Sequence, residues 1–365
     1  MTQANNGASL KRDQRLTHAT GAKAMHLNLI WPVTPQRLDE ADWIHWLLRD
    51  FEIVDHVAPR WDLFQDNSIY ILCGAYSRPP SWFLDGIRRV RGKGLFHLSD
   101  ESFMGGYEIY TNFDFVLRNF HSVIFENPGI MTLPLGFSNN MMSLSETPLA
   151  TERKFLWSFA GAKRAARIDM FENLRNVEPY KCYLFDQSRQ QLDRGKFKTL
   201  LLDSVFAPCP MGNTTLESWR IYESLEMGCI PIVERRRWMP YYDRLMPGHP
   251  LPTFSSWREA RQFVEEVSGD QSKIIAYQQD ISEWWRRHKQ RLRKDVTSFV
   301  SSGLEGSLRS SLSRHWQYRS GVNHQLWRFV ELLKHASHAS LQERIGITTR
   351  RMMGRAWSPP GGGGD

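Results

Sequence analysis

Between Phe206 and Val233 the chain concentrates residue types that bind anions and diols. An apolar segment leads into Cys209-Pro210-x-Gly212. Asn213, Thr214, Thr215, Ser218, Arg220 and Glu223 follow, and Gly228 precedes a second apolar run, Cys229 to Val233. Gly212 lets a ligand approach the backbone closely. Thr214 is placed to cap a helix, with Glu217 three residues on completing a capping box. The free amides and the dipole of such a helix would make an anion site. Arg220 and Glu223 are three apart and share one helical face. The planar fork of arginine suits a phosphate, and an acceptor-only carboxylate suits a sugar diol. Gly228 is read as the helix stop. By spacing alone the same residues equally describe a helix–strand unit with a surface Arg–Glu pair.

Three further constellations carry candidate chemistry. Phe155 to Gly161 is an apolar strand ending in a glycine turn, and Lys163, Arg164 and Arg167 open the helix that follows. Cations at a helix N-terminus oppose the dipole, which a bound pyrophosphate would relieve; a solvated basic turn is the plainer reading. His97-Leu-Ser-Asp100-Glu101 closes an apolar strand, and paired acids there can supply a general base or serve as caps. Trp284 to Lys294 is a basic, aromatic helical run that could meet an anionic membrane surface, or form the solvated face of a packed helix. No nucleic-acid recognition motif accompanies it. GxxxxGK[ST], GxSxG, HExxH and GxGxxG are all absent.

Alternating strand and helix patterns must position these groups. Strands are expected at His26–Trp31, Phe51–Val57, Ser68–Cys73, Gly94–Ser99, Ser122–Phe125 and Met131–Leu135, with helices at Asp39–Phe51 and Ser81–Arg91 and a short amphipathic segment at Asp114–Phe120. A composition change over Ser143–Glu152 reads as an interdomain linker. A second series follows: strands at Lys154–Ala160, Leu200–Phe206 and Cys229–Val233, and helices at Arg164–Asn176, Thr215–Met227, Ser256–Val267, Ser272–Phe299 and Trp316–His335. Such alternation predicts an α/β layer fold with a largely parallel sheet. The expected organisation is a disordered lead-in over 1–24, an N-terminal α/β domain over 25–145, a C-terminal α/β domain over 146–310, a helical segment over 311–345 and a flexible tail over 346–365.

The length of 365 residues suits two such domains. The net charge is +8, from 47 basic and 39 acidic residues, which fits an anionic partner without choosing one. Four cysteines form no CxxC pair, so neither a zinc site nor a disulfide framework is expected. No run approaches the ~18 apolar residues of a membrane helix. The polar first residues lack a secretion signal core. A cytoplasmic protein, peripheral at the inner face of a membrane, is the expectation.

The sequence resembles the exostosin-like glycosyltransferases. The resemblance rests on Cys209-Pro210-x-Gly212, Ser218-x-Arg220-x-x-Glu223 and Glu226-x-Gly228-Cys229-Ile230-Pro231-Ile232-Val233, with Phe159-x-Gly161 and Arg167 upstream. His97 to Glu101 and Leu133-Pro-Leu-Gly136 are similar to acceptor-side elements of that family. The resemblance implies a GT-B fold, two Rossmann-like domains facing across a cleft with C-terminal helices. It implies inverting transfer of a sugar from a nucleotide-sugar, a UDP-sugar, to a glycan or glycolipid hydroxyl. The nucleotide-sugar is then a co-substrate, and neither cofactor nor metal is expected. The DxD that holds the ion in metal-dependent relatives is missing, so amides and basic side chains would neutralise the diphosphate. Carried over, Arg220 binds the diphosphate and Glu223 the ribose. Pro210, Gly212, Asn213, Thr214, Thr215 and Ser218 form the donor loop. Gly161, Lys163, Arg164 and Arg167 offset leaving-group charge, and Asp100 or Glu101 is the base. A non-catalytic protein of the same architecture, binding anionic glycan or lipid through Arg286–Lys294, is the alternative; an epimerase or phosphorylase-like enzyme is a third.

Overall fold

The computed structural model describes residues 25–74, 80–105, 107–143, 147–186, 192–308, 312 and 322–336. The expected lead-in over 1–24 and tail over 346–365 lie outside the described residues, as does the middle of the expected linker, 144–146.

The first half builds one sheet. Its elements are β1 (His26–Trp31), α1 (Ala41–Leu48), β2 (Glu52–Val57), β3 (Ser68–Cys73), α2 (Ser81–Ile87), β4 (Lys93–Leu98), β5 (Phe115–Arg118) and β6 (Ile130–Thr132). All pairings are parallel, in the order β2-β1-β3-β4-β5-β6. Every residue of β4 is buried, as a central strand covered on both faces requires. Edge strand β2 alternates Ile53 and His56 against exposed neighbours.

The second half repeats the plan with β7 (Phe155–Ala162), α3 (Ala165–Leu174), β8 (Tyr180–Phe185), α4 (Arg194–Leu202), β9 (Ser204–Cys209), α5 (Trp219–Glu226), β10 (Ile230–Glu234), α6 (Tyr241–Leu245), β11 (Thr253–Phe254) and α7 (Trp257–Ser268). Its five strands are again parallel, ordered β11-β10-β9-β7-β8. Two parallel α/β sheets joined in series and facing across a cleft are the GT-B arrangement that the resemblance implied.

The segment between the sheets is pinned. The buried Arg153 guanidinium donates to the carbonyls of Pro148, Leu201, Ser204 and Met227, satisfying carbonyls that would otherwise be buried alone. Gln278 adds bonds to the Ala150 amide and to the carbonyls of Pro148 and Gly228. It belongs to α8 (Gln271–Leu304), a helix of 34 residues and therefore about 50 Å long. α8 starts in the second half, against α7 and β10, and runs back over α1, β4 and β5 of the first. Finally α9 (Val322–His335) docks His335, fully buried, with its Nδ1 accepting from the Leu216 amide. Among the described residues no helix is long and apolar enough to cross a membrane.

Several expected elements are corrected. Ser122–Phe125 is a 3-10 turn over Val123–Phe125, not a strand, and Asp114–Phe120 holds strand β5. Leu200–Phe206 divides: Leu200 to Leu202 end α4, and β9 begins only at Ser204. β8 was not anticipated at all, because its Lys181 and half-buried face break the apolar run. The helix expected over Thr215–Met227 starts four residues later, at Trp219, with Ser218 as N-cap. Thr214 therefore caps nothing and Glu217 forms no capping box. Gly228 does stand past the helix end, at φ +66°, where glycine is free of Cβ strain. The basic run of α8 is divided: Arg286, Arg287, Arg291 and Lys294 are exposed, whereas Lys289 and Arg293 are built into the fold. Lys289 pairs with buried Glu226 at 2.5 Å and Arg293 with Asp50 at 3.1 Å, while Trp284, Trp285, His288 and Leu292 are buried.

Candidate functional site

A cavity of about 580 Å³ opens between the halves, at the C-terminal ends of the strands of both sheets. Open parallel sheets place ligands at that edge. From the first half Asp39, Ser99, Glu101, Phe120, Leu135, Ser138 and Met141 line it. From the second come Gly161 and Ala162 at the end of β7 with Arg164 and Arg167 beyond it, Phe185 at the end of β8, Arg194 and Phe197 on α4, and Gly212, Asn213, Glu217, Ser218, Trp219, Arg220 and Glu223 from the β9–α5 connection and α5.

Cationic and donor groups dominate the wall of the second half. Arg220 stacks on the Phe159 ring, 4.4 Å from its centroid, and donates through Nη2 to the Ala160 carbonyl at 2.6 Å. Arg167 donates to the Ala162 carbonyl at 3.0 Å. Gly161 separates them; a Cβ there would lie 3.1 Å from Arg220 Nη2 and 3.0 Å from the Phe159 ring. The Nε atoms of Arg164, Arg167 and Arg220, the hydroxyl of Ser218 and the indole N–H of Trp219 are buried without a partner among the described residues. Buried donors left unpaired are costly, and all five belong to residues that line the cavity. Burial, and then the charges of Arg220 and Arg164, push Arg167 down to about 9. Burial lowers Arg220 as well. An anion among these guanidiniums would relieve the repulsion.

The acids have different surroundings. Glu223 is buried and accepts from the Ser138 hydroxyl at 2.5 Å. Burial raises its pKa, the Ser138 bond and the Arg220 charge opposing. Glu217 accepts from the Leu135 amide and from the hydroxyls of Tyr222 and Tyr241, a strut between the halves. Glu101 Oε1 accepts from the amides of Thr214 at 2.7 Å and Thr215 at 3.2 Å. Its carbonyl takes the Thr214 hydroxyl at 2.9 Å. The glycine at 212 is explained here, since a Cβ would stand 2.6 Å from Glu101 Oε1 and from the Glu217 carbonyl. Asp100, by contrast, points away from the cavity. It accepts from the Tyr107 hydroxyl at 2.6 Å and from the Met104 amide, beside the fully buried Arg118. Arg118 in turn lies 3.4 Å over the Phe125 ring.

Of the residues singled out in the sequence, the fold brings Glu101, Gly161, Arg164, Arg167, Gly212, Asn213, Ser218, Arg220 and Glu223 together around the cavity. Lys163 stands outside, paired with Asp186 at 2.6 Å. Pro210 is buried at the end of β9, and Thr214 and Thr215 lie behind the wall, holding Glu101. Sequence reasoning missed Asp39, Ser138, Arg194 and Trp219. Arg194 donates to the Asn139 carbonyl at 2.6 Å and pairs with Asp39 across the cleft. Ser138 follows directly on the Leu133–Gly136 element, which was the one signal available. Among the described residues no group of three or more His, Cys, Asp or Glu is placed to hold a metal ion.

Fold and site together are those of the GT-B arrangement, two parallel α/β sheets with a cavity between them at the C-terminal strand ends. Residues 115–246 match the Exostosin GT47 domain, so the resemblance drawn from the sequence holds across the cleft's second half. Exostosin-1 of Drosophila melanogaster is 27% identical over 123 residues, 33% of this chain but 16% of that protein. The chain thus matches only a minor part of that relative's length. Solved structures similar to it include an alpha1,3-fucosyltransferase (TM-score 0.49, 11% identity, 80% of this chain and 93% of that one). Another is a DNA-modifying beta-glucosyltransferase (TM-score 0.45, 10% identity, 76% of this chain and 100% of that one).

Proposed function

We propose that the protein is an inverting glycosyltransferase that moves a sugar from a nucleotide-sugar, a UDP-sugar, to a hydroxyl of a glycan or glycolipid acceptor, without a metal. The observation that carries this reading is the row of unpartnered buried donors beside Arg164, Arg167 and Arg220. In this reading Arg220, Arg167 and Ser218 hold the diphosphate, and Arg164 offsets the charge that develops on the leaving group. Glu223 takes the ribose hydroxyls. Gly161 and Gly212 keep the wall close. Lys163 acts only through the field of the pocket rim, since Asp186 holds it. Of the two acids weighed as base, Glu101 faces the cavity and Asp100 does not, so we assign the base to Glu101. A cytosolic setting at the inner membrane face belongs to the same proposal.

The test is a panel of nucleotide-sugars read by thermal shift and by nucleotide release. At least one UDP-sugar is expected to stabilise the wild type, and Arg220→Ala is expected to abolish that shift while keeping a folded protein. No stabilisation by any member of the panel sinks the reading.

A further inference from the structure

Three polar groups of the second half, on the cavity wall or directly behind it, are already engaged, each by a side chain from the opposite half. The Thr214 and Thr215 amides hold the Glu101 carboxylate. Glu223 holds the Ser138 hydroxyl at 2.5 Å. Arg194 holds the Asp39 carboxylate. The chemistry matches in kind. Carboxylates stand on amides and a guanidinium, where phosphoryl oxygens bind, and a hydroxyl stands on a carboxylate, where a ribose diol binds. Meanwhile the guanidinium wall beside them keeps buried donors without partners.

We infer that Ser138, Asp39 and Glu101 are intramolecular stand-ins for the donor, and that the incoming nucleotide-sugar displaces them; the inference rests on the donor reading above. Its consequence is sharpest at Glu101. While both loop amides bind its Oε1, that oxygen is occupied and is not offered to an acceptor hydroxyl. A diphosphate taking those amides, and repelling the carboxylate, frees Glu101 Oε1 within the cavity that the residue already lines. There it can accept the acceptor hydroxyl's proton. The acceptor oxygen forms its bond to the anomeric carbon as the bond from that carbon to the diphosphate breaks, and the electron pair leaves on the nucleoside diphosphate. Donor binding therefore precedes and licenses deprotonation, and an acceptor arriving first meets no free base.

Calorimetric titration of UDP and of GDP into the wild type, Glu101→Gln and Ser138→Ala tests this. Removing the competitor is expected to tighten nucleotide binding by about fivefold or more in Ser138→Ala, the lower end of usual coupling between sites, and by less in Glu101→Gln, which loses the charge but keeps an oxygen that accepts from both loop amides. Nucleotide release from a nucleotide-sugar is expected to fall about 100-fold or more in Glu101→Gln, as for a lost general base, and to persist in Ser138→Ala. If both variants fold and bind the nucleotide no more tightly than the wild type, the displacement is wrong although the donor reading stands. If Glu101→Gln fails to fold, Ser138→Ala decides by itself. If the wild type binds neither UDP nor GDP, the donor reading falls, and the displacement with it.

Discussion

At the scale of single residues, Arg220 shows how an ordinary arginine becomes a binding group. The Phe159 ring beneath it and the Ala160 carbonyl at 2.6 Å hold the guanidinium in one orientation. Burial lowers its pKa, yet a guanidinium stays charged at neutral pH. Arg220→Lys keeps the charge and loses the fork. Charge-assisted hydrogen bonds contribute about 1.5–3 kcal/mol each, so nucleotide affinity is expected to drop about tenfold or more with a melting temperature close to that of the wild type. His97 supplies a different prediction. It is buried, its Nδ1 faces the Tyr110 hydroxyl and its Nε2 the Gly74 carbonyl. Burial, with the Arg118 charge next, lowers its pKa to about 4. The native state thus binds fewer protons at His97 than the unfolded chain does. The associated stability is complete above pH 6.5 and is lost as the pH falls from 6.5 towards 4, by up to about 3 kcal/mol. Urea midpoints measured at pH 7 and pH 5 are expected to fall for the wild type and to converge in His97→Gln.

Elements were legible in the sequence to the extent that burial wrote a period into them. Ser68–Cys73 was read with its exact bounds, because SIYILC is apolar and its neighbours are not. Helix α5 was misplaced at its start, because Thr214 and Glu217 have the right types and spacing for a cap and are employed elsewhere. Thr214 donates its amide to Glu101, and Glu217 accepts from the Leu135 amide of the other half and from the Tyr222 and Tyr241 hydroxyls. Side chains that act across 113 residues leave no local spacing to read. Arg220 and Glu223 were legible because their helix presents both to one side. Asp39, Ser138 and Arg194 were not, since each matters only through its partner in the other half. The end of α5 offers its own test. Gly228 sits at φ +66°, and a Cβ would meet Thr147 Oγ1 at 2.3 Å. Gly228→Ala is expected to destabilise by about 1–3 kcal/mol in chemical denaturation, with nucleotide binding kept in the folded fraction.

The whole molecule is held by α8, which lies against both sheets. Its firmest tie is Glu226, only slightly exposed, which receives Lys289 at 2.5 Å and the Trp285 indole N–H at 2.7 Å. Removing one partner of a buried ion pair leaves an uncompensated charge and costs about 3–5 kcal/mol. Lys289→Met is expected to lose roughly that much, and to separate a single unfolding transition into two as the halves uncouple; one sharp transition in the variant would contradict this. The same helix sets the rules for recombining such proteins. Because residues 271–304 pack on both halves and follow the second in sequence, no single crossover point separates the first half from the second. A chimera that grafts a new first half onto this second half must import two stretches of chain, the N-terminal sheet and the part of the back-crossing helix that packs on it. A splice at the Arg153 linker alone would seat the new half against a foreign strap.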